Sequence, residues 1–353
     1  MSGTGVVVGH GALSRFISGA LKAVGATADD AAAVADGLIW ANLRGVDGHG
    51  VSRLSSYLAM IQRGDVDLKA QPRLVRETAA TFEIDSGGGF GPVAMMQALD
   101  VALERRQKTG SCFGLVRDTT HTGAVGRYAQ WLAERGCVGI IMVAGPAFVA
   151  YHGARIASLG TSPIAIAVPS SRGPIVLDMA TSTISNGTIL QARATGRALP
   201  PGTALTREGA PTTDPRQAEI LLPLGGPKGS GLALMFELVA SVLAATPIQA
   251  RALGAQKARR LRQNCAILAI DVEAFRPLGE FVEDTDALAA ILKALPRQQG
   301  FDEILLPGER SARTEAVRRK SGIPIPRALW AELNAIAAEH AVKLPATMSS
   351  PAT

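Results

Sequence analysis

The chain has 353 residues, of which 47 % are apolar and 4 % aromatic, with a formal net charge of +6. That length exceeds what one core of about 250–300 residues usually fills, so two domains with cores of Ala, Val, Ile and Leu are expected. The longest apolar run, 232–245, carries Glu237 and falls short of the ~20 residues of a membrane span, and the start lacks a signal-peptide core.

In chain order, residues 11–25 space Leu13, Phe16, Ile17, Leu21 and Val24 on one helical face. The segment GHGALS (9–14) has no good strand before it. Thr27 followed by Asp30 opens a second helix as a capping box that ends near Gly45. A third helix is expected over VSRLSSYLAMIQRG, ending at Gly64. The pattern then changes to short apolar runs with turn signals nearby. TFEID (81–85), FGLVR (113–117), VGIIMV (138–143), IAIAV (164–168), IVLD (175–178), AILAID (266–271) and EILLP (303–307) read as buried strands. Helical segments lie between several of them, so the body is α/β or α+β. Near the end, IPRALWAELNAIAAEHA returns to helix and is expected to pack on the N-terminal helices. The tail KLPATMSSPAT reads as loose.

Cys112, Cys137 and Cys265 show neither CxxC nor zinc spacing. An odd number leaves one unpaired, which suits a reducing cytoplasm. Arginines crowd into 251–263 and 313–320. Without a nucleic-acid-binding module beside them they read as solvated helix faces, so neither nucleic acid nor membrane is an expected partner.

The GxGxxG fingerprint of a Rossmann nicotinamide enzyme is missing. PLGGPKGSG (223–231) is not a Walker loop, yet its glycines and Lys228 precede a helix. That pattern suits either a diphosphate at a helix N-terminus or a plain loop. In HTGAVGRYAQW (121–131), His121 follows a strand and Gly123 and Gly126 open a helix. Working residues often occupy such turns, though a lone histidine there also suits a cap or a core. In GVDGHGVSRLSSY (45–57), His49 stands before Arg53 and Tyr57. Residues four apart share a helical face, so a helix starting near Gly50 presents Arg53 and Tyr57 together with His49 at its mouth. Arginine grips a carboxylate through two parallel hydrogen bonds, and histidine exchanges a proton near neutrality. The same residues also suit a tight turn with Arg53 reaching to solvent.

RGVDGHGVSRLSSY, HTGAVGRYAQWLAERG, GTSPIAIAVP, LDMATS, LLPLGGPKGSGLAL and LPGERSARTEAVRRKSGIPIP occur in this order over nearly the whole chain. With them the sequence resembles the malate/L-lactate dehydrogenase-like oxidoreductases, which include ureidoglycolate and sulfolactate dehydrogenases and Δ1-piperideine-2-carboxylate reductases. The resemblance implies an α/β, non-Rossmann NAD(P)-binding fold with a helical layer from both termini. It divides the chain into a helical domain of residues 1–76 plus 308–353 and an α/β NAD(P)-binding and catalytic domain of residues 77–307. It implies NAD or NADP as cofactor, a small carboxylate as substrate, and a homodimer.

By the same resemblance, His49, His121 and Asp178 are catalytic, and Arg53 and Tyr57 bind substrate. His121, Thr122, Gly123, Ala124, Asp178, Met179, Ala180, Thr181, Lys228, Gly308, Glu309 and Arg310 face the cofactor. Either histidine could carry the proton, and Asp178 either orients a histidine or contacts the cofactor. Four positions depart from the family pattern: Gly48 for a serine, Ser162 for an asparagine, Thr188 for a basic residue and Ser230 for an aromatic one. Three functions follow. The first is hydride transfer between a nicotinamide cofactor and a small 2-oxo or 2-hydroxy acid. The second is reduction of cyclic or amine-derived 2-imino acids. The third is NAD(P) binding with weak or lost catalysis.

Overall fold

The computed structural model describes residues 5–249 and 262–348. The chain divides into two compact units, residues 1–70 with 308–353 and residues 71–307. The arginine-rich stretch 251–261 and the last residues, 349–353, lie outside the described residues.

In the first unit, helix His10–Ala23 buries Leu13, Phe16, Ile17, Ala20 and Leu21 along one face. Burying an aliphatic or aromatic side chain of this size contributes about 1.5–3 kcal/mol. Helix Ala28–Leu43 starts at Thr27, whose hydroxyl accepts from the Asp30 N–H at 3.1 Å. The third helix starts later than its spacing suggests. Two single turns of 3-10 helix, Asp47–His49 and Val51–Arg53, precede the α-helix Leu54–Gln62. Helices Glu309–Ser321 and Arg327–Glu339 complete the helical part.

This unit also holds a three-stranded sheet. Val6–Val8 lies between Ile323–Ile325 and Thr347–Met348, antiparallel to both. A strand therefore does precede GHGALS, and the tail is paired as far as Met348. Three consecutive β-branched valines favour this extended form. Val8, Ile323 and Ile325 are buried there.

The second unit is built on a seven-stranded sheet. Its order is Arg73–Glu77, Thr81–Asp85, Ser111–Thr119, Gln263–Asp271, Cys137–Ala144, Ile164–Val168 and Ile175–Met179. Residues 71–76 go with this unit because Arg73–Glu77 pairs with Thr81–Asp85. One neighbouring pair, Thr81–Asp85 with Ser111–Thr119, is parallel, and the other five are antiparallel. A doubly wound dinucleotide fold needs a mostly parallel sheet, so the absent fingerprint and the topology agree. Central strand Gln263–Asp271 is buried along most of its length, as a strand covered on both faces must be. Helices Gly91–Thr109 and Gly126–Ala133 contribute Met95, Leu99, Tyr128 and Leu132 to the main core. A smaller cluster of Leu115, Ala144, Ala240, Ala244 and Ala266 includes residues on and after the π-helical turn Leu238–Val242.

A five-stranded sheet of short strands runs in the order Pro211–Thr212, Ala204–Leu205, Ile220–Leu221, Val149–Ala150 and Ala157–Leu159. The expected strand EILLP is not formed. Leu305 is exposed, and the Ile304 carbonyl accepts from the Lys293 ammonium at 3.3 Å instead of from a ladder. No described helix is long and apolar enough to cross a membrane.

Candidate active site

The end of helix Ala28–Leu43 organises the corner of the first unit that carries His49. Gly45 to Val46 turn the chain back on the helix, with Gly45 N–H on the Asn42 carbonyl at 3.1 Å and Val46 N–H on Ala41 at 2.8 Å. The two 3-10 turns follow, and Arg53 ends the second of them. Its Nε donates to the Gly48 carbonyl at 2.8 Å, which folds the guanidinium back on the loop that bears the histidine. The His49 pKa is drawn down to about 4, first by burial and then by the Arg53 charge. The imidazole is therefore neutral at ordinary pH. Tyr57 lies one turn into the α-helix and is buried, and burial pushes its hydroxyl pKa well above the usual phenol range. The delayed helix start changes how these three are presented. His49 sits on its own turn rather than at a helix mouth, while Arg53 and Tyr57 keep the four-residue spacing.

Gly308, Glu309 and Arg310 belong to the same unit. Glu309 opens helix Glu309–Ser321 directly after Gly308. Arg44 donates through Nη2 to the Gly308 carbonyl at 3.4 Å and through Nη1 to Glu315 at 3.2 Å. The Glu309 carboxylate is paired with Arg313 at 2.5 Å, and Arg310 is exposed.

In the second unit four sequence motifs converge through hydrogen bonds. Residues 121–125 link strand Ser111–Thr119 to helix Gly126–Ala133. Thr122 is fixed from both sides. Its N–H and hydroxyl donate to Gln263 Oε1 at 2.8 and 3.0 Å, and its carbonyl accepts from the Tyr128 hydroxyl at 2.5 Å. His121 and Gly123 are half-buried on either side of it, and Ala124 is buried. Asp178, near the end of Ile175–Met179, accepts the Gly126 N–H at 2.9 Å. A carboxylate at a helix N-terminus is stabilised by the unpaired N–H groups there. This bond joins the histidine motif to the Asp178–Thr181 motif.

Thr181 then ties to residues 161–162, its N–H and hydroxyl each donating to the Thr161 carbonyl at 2.9 Å. Its own carbonyl accepts from Leu224 N–H at 2.8 Å. Met179 and Ala180, half-buried, lie between these anchors. Helix Pro227–Glu237 begins inside the glycine-rich motif rather than after it, which puts Lys228 in the first turn, exposed. Gly229 makes this approach possible, since a Cβ there would lie 2.5 Å from the Thr181 carbonyl oxygen and 2.6 Å from Leu224.

The departures from the family pattern have local explanations. Position 48 contributes its carbonyl to Arg53, a contact any residue supplies. Ser162 has φ +35°, close to a region that asparagine tolerates better than most residues. Thr188 sits in the first turn of helix Asn186–Thr195, where its N–H is capped by the Ser185 hydroxyl at 3.1 Å. Ser230 is 1 % exposed, and its hydroxyl accepts the His152 N–H at 2.8 Å.

Residues that the sequence did not single out bond to these segments: Asn42, Asp47 and Arg318 at the His49 loop, Gln263 and Tyr128 at Thr122. A polar Asn42 closing the apolar helix end LIWANL, and Gln263 beginning a buried strand, are the signals the sequence offered.

The model of the malate/L-lactate dehydrogenase family matches residues 8–334. The malate dehydrogenase of Pyrococcus horikoshii is 35 % identical over 343 residues, covering 92 % of this chain and 93 % of that protein. The Δ1-pyrroline-2-carboxylate reductase of Ancylobacter novellus is 33 % identical over 323 residues, covering 90 % of this chain and 93 % of that protein. Among solved structures, the malate dehydrogenase of Entamoeba histolytica superposes with a TM-score of 0.90 at 30 % identity, covering 96 % of this chain and 99 % of that one.

Proposed function

Because the chain belongs to the malate/L-lactate dehydrogenase family, we propose that it is an oxidoreductase exchanging a hydride between NAD or NADP and a small 2-oxo/2-hydroxy acid. One observation carries this reading: the Arg53 guanidinium is fixed through Nε to the loop that bears His49, whose imidazole burial keeps neutral. Arg53 takes the carboxylate of the substrate, and such a clamp fixes the α-carbon and lowers the barrier by several kcal/mol, on the order of what orientation supplies. His49 accepts the hydroxyl proton when the hydroxy acid is oxidised and returns it in reduction. Acid–base help of this kind is worth about 10²–10⁴-fold. Tyr57 backs the corner with a neutral, buried hydroxyl.

The residues of the second unit fit a dinucleotide. An exposed lysine in the first turn of a helix suits a diphosphate. Thr122 to Ala124, Asp178 to Thr181 and Lys228 would hold the cofactor there. Bound in this way, the dinucleotide supplies the hydride. His121 serves cofactor placement, with Asp178 fixing the start of the helix behind it. A second reading, reduction of 2-imino acids, is supported by the pyrroline-carboxylate reductase relative, because one carboxylate clamp serves both substrates. The enzyme acts as a homodimer in the cytoplasm. Exposed Leu232, Leu234, Met235 and Leu238 along and just beyond helix Pro227–Glu237 support self-association, and three free cysteines support a reducing compartment.

The test is oxidation of NADH and NADPH against a panel of 2-oxo acids, with and without an amine. Turnover without amine, abolished by Arg53→Ala and lowered by His49→Gln far more than by His121→Gln, supports the first reading. Turnover that requires the amine selects the second, and no turnover with either set overturns both.

A further inference from the structure

Asn42 is 2 % exposed at the end of helix Ala28–Leu43, and both ends of its amide are used. Oδ1 accepts the Val51 N–H at 2.7 Å, and Nδ2 donates to Asp47 Oδ1 at 2.7 Å. One side chain thus grips both ends of the loop that carries His49. Residue 50 lies flat against that amide, where a Cβ would come within 2.3–2.4 Å of it, so only glycine fits. Arg318 reaches over from helix Glu309–Ser321. It donates to Asp47 Oδ1 at 2.7 Å and Oδ2 at 3.0 Å, and also to the Asn42 carbonyl. The Asp47 carbonyl in turn accepts from the Ser52 hydroxyl at 2.7 Å, beside Arg53.

We propose that Asn42, Asp47 and Arg318 are positioning residues that hold the His49–Arg53 corner in its working geometry. This rests on the function assigned to that corner above. The bonds converge on residues 47–52 rather than on the hydrophobic core, so they set the loop's shape more than they hold the unit together. The amide can face only one way, because its oxygen must meet an N–H and its nitrogen a carboxylate. The fork of Arg318 matches a carboxylate in a way an ammonium does not. Its two neighbours in the arginine run behave differently, since Arg313 and Arg319 pair with Glu309 and Glu315 on their own helix.

The test compares Arg318→Ala, Arg318→Lys and Asn42→Asp in the full chain. A misplacement of about 1 Å in a reacting group can cost on the order of 10²-fold, so kcat/KM for the 2-oxo acid should fall about 10–100-fold in Arg318→Ala and Asn42→Asp. Arg318→Lys should recover part of the loss. Cofactor affinity, read by quenching of NADPH fluorescence, should stay within about twofold. In Arg318→Ala, amide hydrogen exchange at Gly50 and Val51 in the free protein should speed up roughly tenfold while the thermal midpoint holds.

Unchanged kinetics in a folded Arg318→Ala variant overturn the proposal, and so does a loss of cofactor affinity as large as the loss of kcat/KM. If Asn42→Asp does not fold, the Arg318 pair carries the test alone. Full activity in His49→Gln and Arg53→Ala would sink the reading of the corner and the brace with it. Loss there with none in the Arg318 and Asn42 variants sinks the brace alone.

Discussion

Arg53 and Gly48 are joined by a 2.8 Å hydrogen bond from Nε to the carbonyl oxygen, so the guanidinium is part of the histidine loop and not a free arm. Its charge acts with burial to pull the His49 pKa to about 4, burial being the larger cause. Between that value and the ordinary 6.5 the folded protein binds fewer protons at this group than the unfolded chain. Stability from this group is therefore complete above about pH 6.5 and lost as pH falls through about 4. The thermal midpoint of the wild type should drop relative to His49→Gln across that window. A wild type that gains on the variant as pH falls would contradict this.

The same shift sets a kinetic expectation. With His49 as the proton acceptor proposed above, kcat/KM for oxidation of the hydroxy acid should stay level from pH 7 down to about 5 and decline toward about 4. A decline centred near 6.5 would mean that the free enzyme holds an ordinary histidine.

Gly229→Ala should separate the lysine-bearing helix from the Thr181 segment. Its Cβ would sit 2.5 Å from a backbone oxygen that cannot rotate away. Overpacking of this kind costs about 1–3 kcal/mol. Cofactor affinity should fall together with the thermal midpoint, in contrast to the Arg318 variants.

Asp178→Ala removes the acceptor of the Gly126 N–H. Loss of a helix cap costs about 1 kcal/mol, which the unfolding midpoint in urea should register. Asp178→Asn keeps an acceptor oxygen and should recover most of that stability. If the variants differ little in stability but both lose activity, the charge itself is used.

Ser162→Gly should raise the thermal midpoint slightly. Residues with a side chain pay a steric cost near the left-handed region, on the order of 1 kcal/mol, and Ser162 stands at φ +35°. A fall would show that the hydroxyl matters more than the backbone there.

Most of the helices and six of the seven expected strands were legible because their burial follows simple periods, as in helix His10–Ala23 and strand Ile164–Val168. EILLP has the composition of a strand but no neighbour to pair with, and pairing is not a local property. The reverse holds for Val6–Val8 and Thr347–Met348, each too short to stand out and each formed because a distant segment arrives beside it. The histidine, arginine and lysine of the candidate site lie in the motifs that carry the family resemblance, and spacing alone left their roles open. Asn42, Gln263 and Arg318 could not be singled out, since their work depends on partners 9, 141 and 271 positions away.

The sheet built around Val6–Val8 draws both its outer strands from beyond residue 322. During synthesis the ribosome delivers residues 71–307 before those strands exist, and domains tend to fold as units once they emerge. The loop bearing His49 is among the first segments made, yet its Arg318 clasp is among the last. Nascent or clipped chains that stop short of residue 318 are thereby left without the clasp on the loop that bears His49.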